Sequence, residues 1–305
     1  MRIFFVVNAH SANGETGRCW PEIHAQGMRS LGEMNCAFTE RPMDAVRLTR
    51  WALRGGYDCI VAVGGDGTLS EVVNGFFDEG GPLAPEARLA ILPRGTGCDF
   101  RRTFGWTLKL DEAFERIRLR KTILVDVGFL ECMGGDGKPH SRYFMNECSF
   151  GVSGEIAKRA NDTTKVFGGK ASFMLAALRA MARYSDKEVE VCMDGETPKC
   201  WPITSLTVAN GAYFGGGMKV APEANIMDGL LNITVWSNYG LSDFIWKNRS
   251  IYSGAHTRLS RTRQYTCKTL TARSRQEVLI DCDGEQPGKL PCSIRVVPQA
   301  IRLCV

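Results

Sequence analysis

Cys59-Ile60-Val61-Ala62-Val63-Gly64-Gly65-Asp66-Gly67-Thr68-Leu69-Ser70-Glu71-Val72-Val73-Asn74-Gly75 is the stretch that decides the fold. Cys59 to Val63 is short, apolar and rich in β-branched residues, the pattern of a buried strand. Gly64, Gly65 and Gly67 then let the backbone turn sharply and come close to a bulky anion without Cβ clashes. Thr68 and Glu71 have the capping-box spacing of a helix start. A helix beginning there presents free N–H groups and the positive end of its dipole to the turn, which favours phosphate. Asp66 adds a carboxylate to the same turn. A bare acid facing a phosphate is repulsive, so it implies a bridging cation or a proton-transfer role. A plain strand-to-helix turn would account for one glycine. Three glycines, an acid and a capping box favour a site for phosphate with a metal.

The flanking residues repeat the alternation. Arg2 to Val7 reads as a strand, Trp20 to Leu31 as a helix and Cys36 to Thr39 as a short strand. Asp44 to Arg54 carries Ala45, Leu48 and Ala52 at helical spacing, Leu89 to Leu92 is another strand, and Asp111 to Leu119 is helical. Such alternation argues for a parallel sheet with helices on both faces, where ligands bind beyond the carboxyl ends of the strands. After about Lys121 strands dominate: Ile123–Glu131, Arg142–Phe150, Glu188–Met193, Ile203–Ala209, Leu230–Trp236, Gln276–Cys282 and Ser293–Val297. Turn signals at Gly134–Gly137, Asp194-Gly195, Asp228-Gly229 and Asp283-Gly284 separate them. Helical inserts are expected near 153–160, 170–184 and 241–253. This second half reads as a mainly antiparallel sandwich.

With 305 residues and 44% hydrophobic content, the chain has enough material for two domains. Ile3 to Val7 is too short for a signal peptide, and the best helical candidate for a membrane span, Ala171 to Tyr184, is interrupted by Arg179 and Arg183. A soluble or peripheral protein is expected. Twelve cysteines without a CxxC pair and four scattered histidines argue against zinc; the thiols read as reduced, small hydrophobes. Cys98 and Cys282 read as passengers within motifs. The net charge is +5, yet residues 241–275 carry eight Lys and Arg against the single acid Asp243. Phe244, Trp246, Tyr252 and Tyr265 are interleaved there. The segment fits docking on an anionic membrane or nucleic acid, and equally a solvated basic face.

Gly64–Thr68 followed by Glu71-Val72-Val73-Asn74-Gly75 resembles the diacylglycerol kinase catalytic family, which includes bacterial lipid kinases, sphingosine kinases and ceramide kinases. Gly-Gly-Asp-Gly-Thr alone is shared with NAD kinases; the Glu-Val-Val-Asn-Gly continuation is what resembles the lipid kinases. Asn8-Ala9-His10-Ser11-Ala12-Asn13-Gly14 resembles the family's Asn-Pro-x-Ser-Gly-x-Gly turn, with Ala9 and Ala12 departing and Asn8, Ser11 and Gly14 retained. Thr39-Glu40 resembles a strand-end pair whose Thr contacts nucleotide. Leu92-Pro93-Arg94-Gly95-Thr96-Gly97-Cys98-Asp99-Phe100 resembles Leu-Pro-x-Gly-Thr-x-Asn-Asp-Phe, with Cys98 in place of Asn.

The resemblance implies an α/β plus β fold. A doubly wound nucleotide-binding domain, of the kind seen in NAD kinases and diacylglycerol kinases, would span 1–124 with 298–305 returning to it. A β-sandwich lipid-substrate domain would span 125–297, with a cleft between the two. The nucleotide residues it implies are Asn8, Ser11, Gly14, Thr39, Gly64, Gly65, Asp66, Gly67, Thr68, Glu71, Gly95, Thr96 and Asp99, with Asp66 and Asp99 in a catalytic Mg²⁺ network. Asp281-Cys282-Asp283-Gly284-Glu285 reads on its residues as a hairpin turn. The resemblance instead places Asp283 and Glu285 at the nucleotide, one of them the general base beside Asp66. Likewise Pro222–Leu230 reads as a hairpin or, by resemblance, as a structural magnesium site on Asp228 with the carbonyls of Asn225 and Leu230.

The implied activity is transfer of the γ-phosphate of ATP to a membrane lipid hydroxyl, with Mg²⁺. Diacylglycerol is the first acceptor, giving phosphatidic acid; ceramide or a sphingoid base is the alternative. NAD kinase and a non-catalytic lipid- or nucleotide-sensing module are the rivals. The implied setting is cytoplasmic and peripheral at the inner membrane surface, held there by the basic segment 241–275. A homodimer is compatible with it, and no nucleic acid is expected.

Overall fold

The computed structural model describes residues 2–79, 81–162 and 177–305. The chain divides into two compact units, residues 1–126 with 299–305, and residues 127–298.

The first unit runs β1 (Ile3–Val7), α1 (Glu15–Arg18), α2 (Trp20–Leu31), β2 (Asn35–Phe38), α3 (Asp44–Arg54), β3 (Cys59–Gly64), α4 (Asp66–Gly75), the short β4 (Phe77–Asp78) and β5 (Gly81–Pro82), β6 (Arg88–Pro93), α5 (Phe100–Thr103) and α6 (Leu110–Leu119). Its sheet is parallel in the order β2-β1-β3-β6, and Arg302 and Leu303 add a parallel pairing beside β6. The central strands β1 and β3 are apolar and fully buried because both faces are covered, while the edge strand β2 begins with Asn35 and is partly exposed. Ile3, Phe5 and Val7 pack with Trp20 and Ile23 of α2 and with Ala113, Phe114 and Ile117 of α6. Phe4 points the other way and meets Trp51 of α3 at 5.4 Å between ring centroids. Fully burying each such side chain contributes about 1.5–3 kcal/mol. Helices on both faces leave only the strand ends free for a ligand, as in other doubly wound sheets.

The second unit is a sandwich. Its elements are β7 (Thr122–Met133), β8 (Pro139–Phe144), β9 (Glu147–Gly151), α7 (Val152–Asp162), β10 (Lys187–Met193), β11 (Lys199–Ile203), β12 (Ser205–Ala209), β13 (Leu231–Trp236), β14 (Thr262–Cys267), β15 (Thr269–Arg273), β16 (Leu279–Cys282) and β17 (Glu285–Cys304), with helices at Leu241–Trp246 and Asn248–Ser253. One layer runs β14-β13-β12-β9-β16-β17. The twenty-residue β17 continues into the other layer, where it pairs with β15 and β7; β10 joins β15 to β11. Cys148, Phe150, Leu206, Val208, Ile233, Val235 and Ile280 face Val189, Val191, Leu270 and Ile294 in one core.

Several expected elements take a different form. Arg142–Phe150 is two strands: the ladder breaks at Met145 and Asn146, whose N–H groups go to the Asp283 carboxylate instead. Ile203–Ala209 also divides, at Thr204. Residues 262–273 form β14 and β15, which alternation weakened by arginine and threonine had hidden. Of the helix expected at 170–184, residues 170–176 lie outside the described residues and 177–181 are helical. Among the described residues no helix is long and apolar enough to cross a membrane.

Candidate active site

In the first unit the expected nucleotide residues lie around the carboxyl ends of β1, β2, β3 and β6. The Asn8 N–H extends the β1–β3 ladder to Val63 O, and the Thr39 N–H reaches Val7 O at 2.9 Å. Asn8 Nδ2 donates to Thr68 Oγ1 at 3.0 Å, which ties the end of β1 to the start of α4. Ser11 Oγ lies 2.8 Å from Asn8 O and 2.7 Å from Thr16 Oγ1, so its hydroxyl is spent inside its own turn. Gly14, at φ 81°, begins α1. The two glycine-rich turns touch backbone to backbone: a Cβ on Gly95 would stand 2.4 Å from Gly65 Cα. The Arg94 N–H also donates to Gly64 O at 2.7 Å.

Asp66 links the same two turns through its side chain. Its carboxylate accepts the Asp99 N–H at 2.9 Å and the Phe100 N–H at 3.1 Å, at the start of α5. Desolvation raises the Asp66 carboxyl above its ordinary range, against the pull of those donors. The acid is therefore not bare, and repulsion from phosphate alone no longer requires a cation. Asp99 is buried and paired with Arg102 at 3.2 Å. Thr96 is exposed at the tip of the turn. Burial pushes the Cys98 thiol up to about 12, so it is protonated at neutral pH.

The capping box expected at Thr68 and Glu71 does not form. The helix begins at Asp66 behind Gly65, with no side-chain cap. Thr68 is instead taken by Asn8, and both Glu71 oxygens accept backbone N–H groups at the start of α3, from Met43 at 3.0 Å and Ala45 at 3.1 Å. A carboxylate at a helix N-terminus is favoured by the dipole, so Glu71 fixes α3 against α4.

In the second unit the Asp283-Gly284 pair is a hairpin turn. Both residues have positive φ, 50° and 87°, and Cys282 pairs with Glu285 across them, as a two-residue hairpin requires. The Asp283 side chain turns inward, 8% exposed. Oδ1 accepts the Asn146 and Glu147 N–H groups, both at 3.0 Å, and Oδ2 accepts that of Met145 at 2.9 Å. Burial raises its pKa, and the three donors oppose the rise. Glu285 is exposed.

Two further buried carboxyls stand beside it, Asp281 at 6% and Glu147 at 2% exposure. Asp281 accepts the Gly284 N–H at 2.9 Å, and burial with its acidic neighbours pushes it up to about 8. Glu147 is raised by desolvation and by the charges of Asp281 and Asp283. Period two explains their place. Cys148, Phe150, Ile280 and Cys282 enter the core, so Glu147, Ser149, Asp281 and Asp283 share the opposite face. There Thr234, Thr207, Ser149 and Asp281 line up in register across β13, β12, β9 and β16. Glu147 Oε2, Ser149 Oγ and Thr207 Oγ1 are buried without a well-formed hydrogen bond among the described residues. Sequence reasoning missed Glu147 and Asp281. The signal was Glu147-Cys148-Ser149-Phe150 and Asp281-Cys282-Asp283, where polar residues alternate with core residues.

This polar face adjoins an apolar cavity of about 820 Å³, counting its open mouth. Val152 and Ile156 of α7, Met181, Phe214, Trp236 and Phe244 supply apolar walls; Ser153, Thr204, Ser205 and Asp281 are polar. Gly215 also lines it.

The expected structural-magnesium residues form two consecutive side-chain turns: Asn225 Oδ1 accepts the Met227 N–H at 3.1 Å, and Asp228 Oδ1 accepts the Leu230 N–H at 3.0 Å. Among the described residues no group of three or more His, Cys, Asp or Glu gathers to hold a metal. The basic segment does not form one face. Its helices, β14 and β15 lie in different parts of the sandwich, Lys247 and Arg261 pair with Asp243, and Arg273 pairs with Glu190.

Comparison with known proteins agrees with this architecture. Residues 2–130 match the diacylglycerol kinase catalytic domain, and residues 146–305 match the YegS C-terminal NAD kinase beta sandwich-like domain. A Bacillus subtilis protein named "Putative lipid kinase YtlR" is 26% identical, over 98% of this chain and 98% of its own. A diacylglycerol kinase of Staphylococcus carnosus is 24% identical over 99% of this chain and 94% of its own. A Bacillus anthracis crystal structure overlays with a TM-score of 0.77 at 23% identity, covering 99% of this chain and 96% of that one, which shows the shared fold. The chain belongs to the diacylglycerol kinase catalytic family that carries a YegS-type C-terminal domain, and it is a lipid kinase.

Proposed function

We propose that the chain transfers the γ-phosphate of ATP to the free hydroxyl of diacylglycerol, giving phosphatidic acid; ceramide or a sphingoid base is the second choice of acceptor. The observation that carries the reading is the joined pair of glycine turns at the ends of β3 and β6. Gly65 meets Gly95, Asp66 binds both turns, and Asn8 and Thr68 stand alongside. Backbone N–H groups at the start of α4 then face an anion with the helix dipole behind them. In this reading the first unit binds nucleotide and the second takes the lipid, whose chain enters the cavity between α7, Met181 and Trp236.

Gly64–Thr68, Gly95 and Thr96 cradle the phosphates, with Asn8 and Thr39 toward the rest of the nucleotide. Gly14, Ser11 and Glu71 act one step back, by shaping the first turn and seating α3. Mg²⁺ reaches such a site bound to ATP and needs only one or two carboxylates from protein. Asp66 and Asp99 are suited to this, and the ion would neutralise charge developing on the transferred group. Asp228, with the carbonyls of Asn225 and Leu230, remains the candidate for a separate magnesium whose remaining ligands are waters. Asp283 serves as general base for the acceptor hydroxyl, with Glu285 beside it. Its raised pKa makes it a better proton acceptor than a solvated carboxylate, and its three N–H anchors fix its direction.

Docking on an anionic bilayer is supported by Trp246, 84% exposed, and Ile245, 53% exposed, next to Lys247 and Arg249. Vesicle flotation with Trp246→Ala and Arg249→Glu checks it; unchanged binding would refute it. For the reaction itself, purified protein is incubated with γ-labelled ATP, Mg²⁺ and mixed micelles of diacylglycerol, ceramide or sphingosine, with NAD as the soluble control. Label in diacylglycerol, lost in Asp283→Asn, is the expected result. Label confined to NAD would overturn it.

A further inference from the structure

The carboxyl that reaches the apolar cavity is neither of the two that the hairpin motif supplies. Asp283 is turned into the break between β8 and β9, its oxygens taken by three backbone N–H groups, and Glu285 is exposed. Asp281, two residues earlier on β16, lines the cavity, with one oxygen held by the Gly284 N–H. The other polar side chains at the walls include Ser153, Thr204 and Ser205, which are uncharged; Tyr239 lines it too, its hydroxyl bonded to Thr262. Among the described residues no Lys, Arg or His lines the cavity. We propose that Asp281, at the cavity wall, binds the polar head of the acceptor lipid at a glyceride ester carbonyl, and that it selects such an uncharged head over an ammonium-bearing one.

The surroundings of Asp281 give the reason. From β9 it faces Glu147, a second buried carboxyl, which has the Ser149 hydroxyl as its neighbour. Asp283 and Glu285 follow from its own turn, and Arg142 comes from β8. On α7, packed over β16, Glu155 pairs with Arg159 at 3.4 Å and Lys158 lies toward Glu277, so neither cation is committed to Asp281. Carboxyls crowded in an apolar wall do not all ionise. Asp281 is pushed up to about 8 and so carries a proton at neutral pH. A protonated carboxyl supplies an O–H donor, which suits an ester carbonyl and leaves the acceptor hydroxyl to the base. An ammonium head would need that proton expelled first. The Ser149 and Thr207 hydroxyls, in line with Asp281, extend the polar face.

This rests on the lipid-acceptor reading above, so the test reads binding rather than transfer. Equilibrium binding of radiolabelled dioctanoylglycerol is measured for the whole protein from pH 6.5 to 9, with labelled sphingosine in parallel. The wild type should lose affinity for dioctanoylglycerol by about ten-fold between pH 7 and pH 9, as expected for ionisation near 8. Asp281→Asn keeps the acceptor for Gly284 and a donor for the lipid. It should bind within about three-fold of wild type at pH 7, with that pH dependence gone. Asp281→Leu should bind about five-fold or more weakly. Thermal unfolding of each variant separates lost binding from lost fold. A flat wild-type profile, an Asp281→Asn profile that still falls with pH, sphingosine binding more tightly than dioctanoylglycerol, or a folded Asp281→Leu with full affinity would each overturn the proposal. Failure of all lipids to be phosphorylated while binding behaves as stated would instead strike the kinase reading and leave this one standing.

Discussion

The phosphate-type turns of the first unit and the carboxyl face of the second are built from different materials. In the first, the parts are mostly backbone: glycines in contact, N–H groups at a helix start, and one aspartate that accepts two more N–H groups. In the second, they are side chains on β9, β12, β13 and β16, brought into register from positions between 147 and 281. A backbone site depends on a short run of residues and tolerates no added atoms. A side-chain site depends on distant strands pairing correctly and tolerates isosteric change. Substitutions should separate the two kinds.

The largest effect is expected at the anchor of the second site. Asp283→Ala strands the N–H groups of Met145, Asn146 and Glu147, each a buried donor worth about 1–3 kcal/mol when left unpaired. Denaturant unfolding should show a loss of about 3 kcal/mol or more. Asp283→Asn retains one acceptor oxygen and should lose less stability, while phosphotransfer falls by about 10²-fold or more if the carboxylate is the base. Equal stability loss in both variants, with activity tracking it, would reduce Asp283 to a structural anchor.

Next comes Gly95→Ala. Its Cβ would sit 2.4 Å from Gly65 Cα, backbone on backbone, so the two turns must part at a cost of about 1–3 kcal/mol, and KM for ATP should rise by about ten-fold. Gly67→Ala is the control, because nothing lies within 4 Å of its Cβ. Inside α4 it should raise stability by up to about 1 kcal/mol and still raise KM for ATP, if a phosphate passes close to that backbone. A Gly67→Ala enzyme with unchanged KM would mean that the turn is tight for folding and not for a ligand.

A third substitution reaches the second site through its cover. A Cβ on Gly154 of α7 would stand 2.3 Å from Leu279 O on β16. Gly154→Ala should push α7 off the strand that carries Asp281 and lower stability by about 1–2 kcal/mol in chemical unfolding. A variant as stable as wild type would show that α7 can shift freely over the cavity.

The same contrast explains what could be read in advance. The alternation of β1, α2, α3, β3 and β6 and both glycine turns are local patterns, so the doubly wound sheet and its turns were legible. The strands β14 and β15 of the second unit were not, since their outward residues are Arg263, Gln264, Thr269, Thr271 and Arg273, which read as a charged surface run. Thr68 and Glu71 had the right spacing for a capping box, but partners from β1 and α3 won, which spacing within one helix cannot reveal. Glu147 was invisible for a similar reason: an acid inside an apolar strand has meaning only when Asp281, 134 positions away, is known to lie beside it.

The smallest effect tests that pair by its pH dependence. In the unfolded chain both carboxyls titrate near 4. Folding raises Asp281 to about 8 and raises Glu147 also. The folded state then binds more protons, so the contribution is complete below about pH 4 and is lost as pH climbs through about 8. His256 works in the opposite direction: burial lowers its pKa below 6.5, so its contribution is complete only above that pH. The buried thiols Cys98 and Cys267, each raised to about 12, add their own loss only once an unfolded thiol ionises, near pH 9. Between pH 7 and 8.5 the carboxyl pair therefore dominates, and wild-type Tm should fall by about 2–4 °C. Glu147→Gln keeps the shape and removes one acid, while Asp281, raised mainly by its own burial, should keep a reduced slope over that window. Asp281→Asn should flatten it most, since it removes the step near 8 and the repulsion felt by Glu147, and the double variant should add little to that. Parallel slopes in all four proteins would mean that the pair does not hold its proton in the folded state. The polar wall of the cavity would then be anionic at neutral pH, and an ammonium-bearing lipid would suit it better than a glyceride.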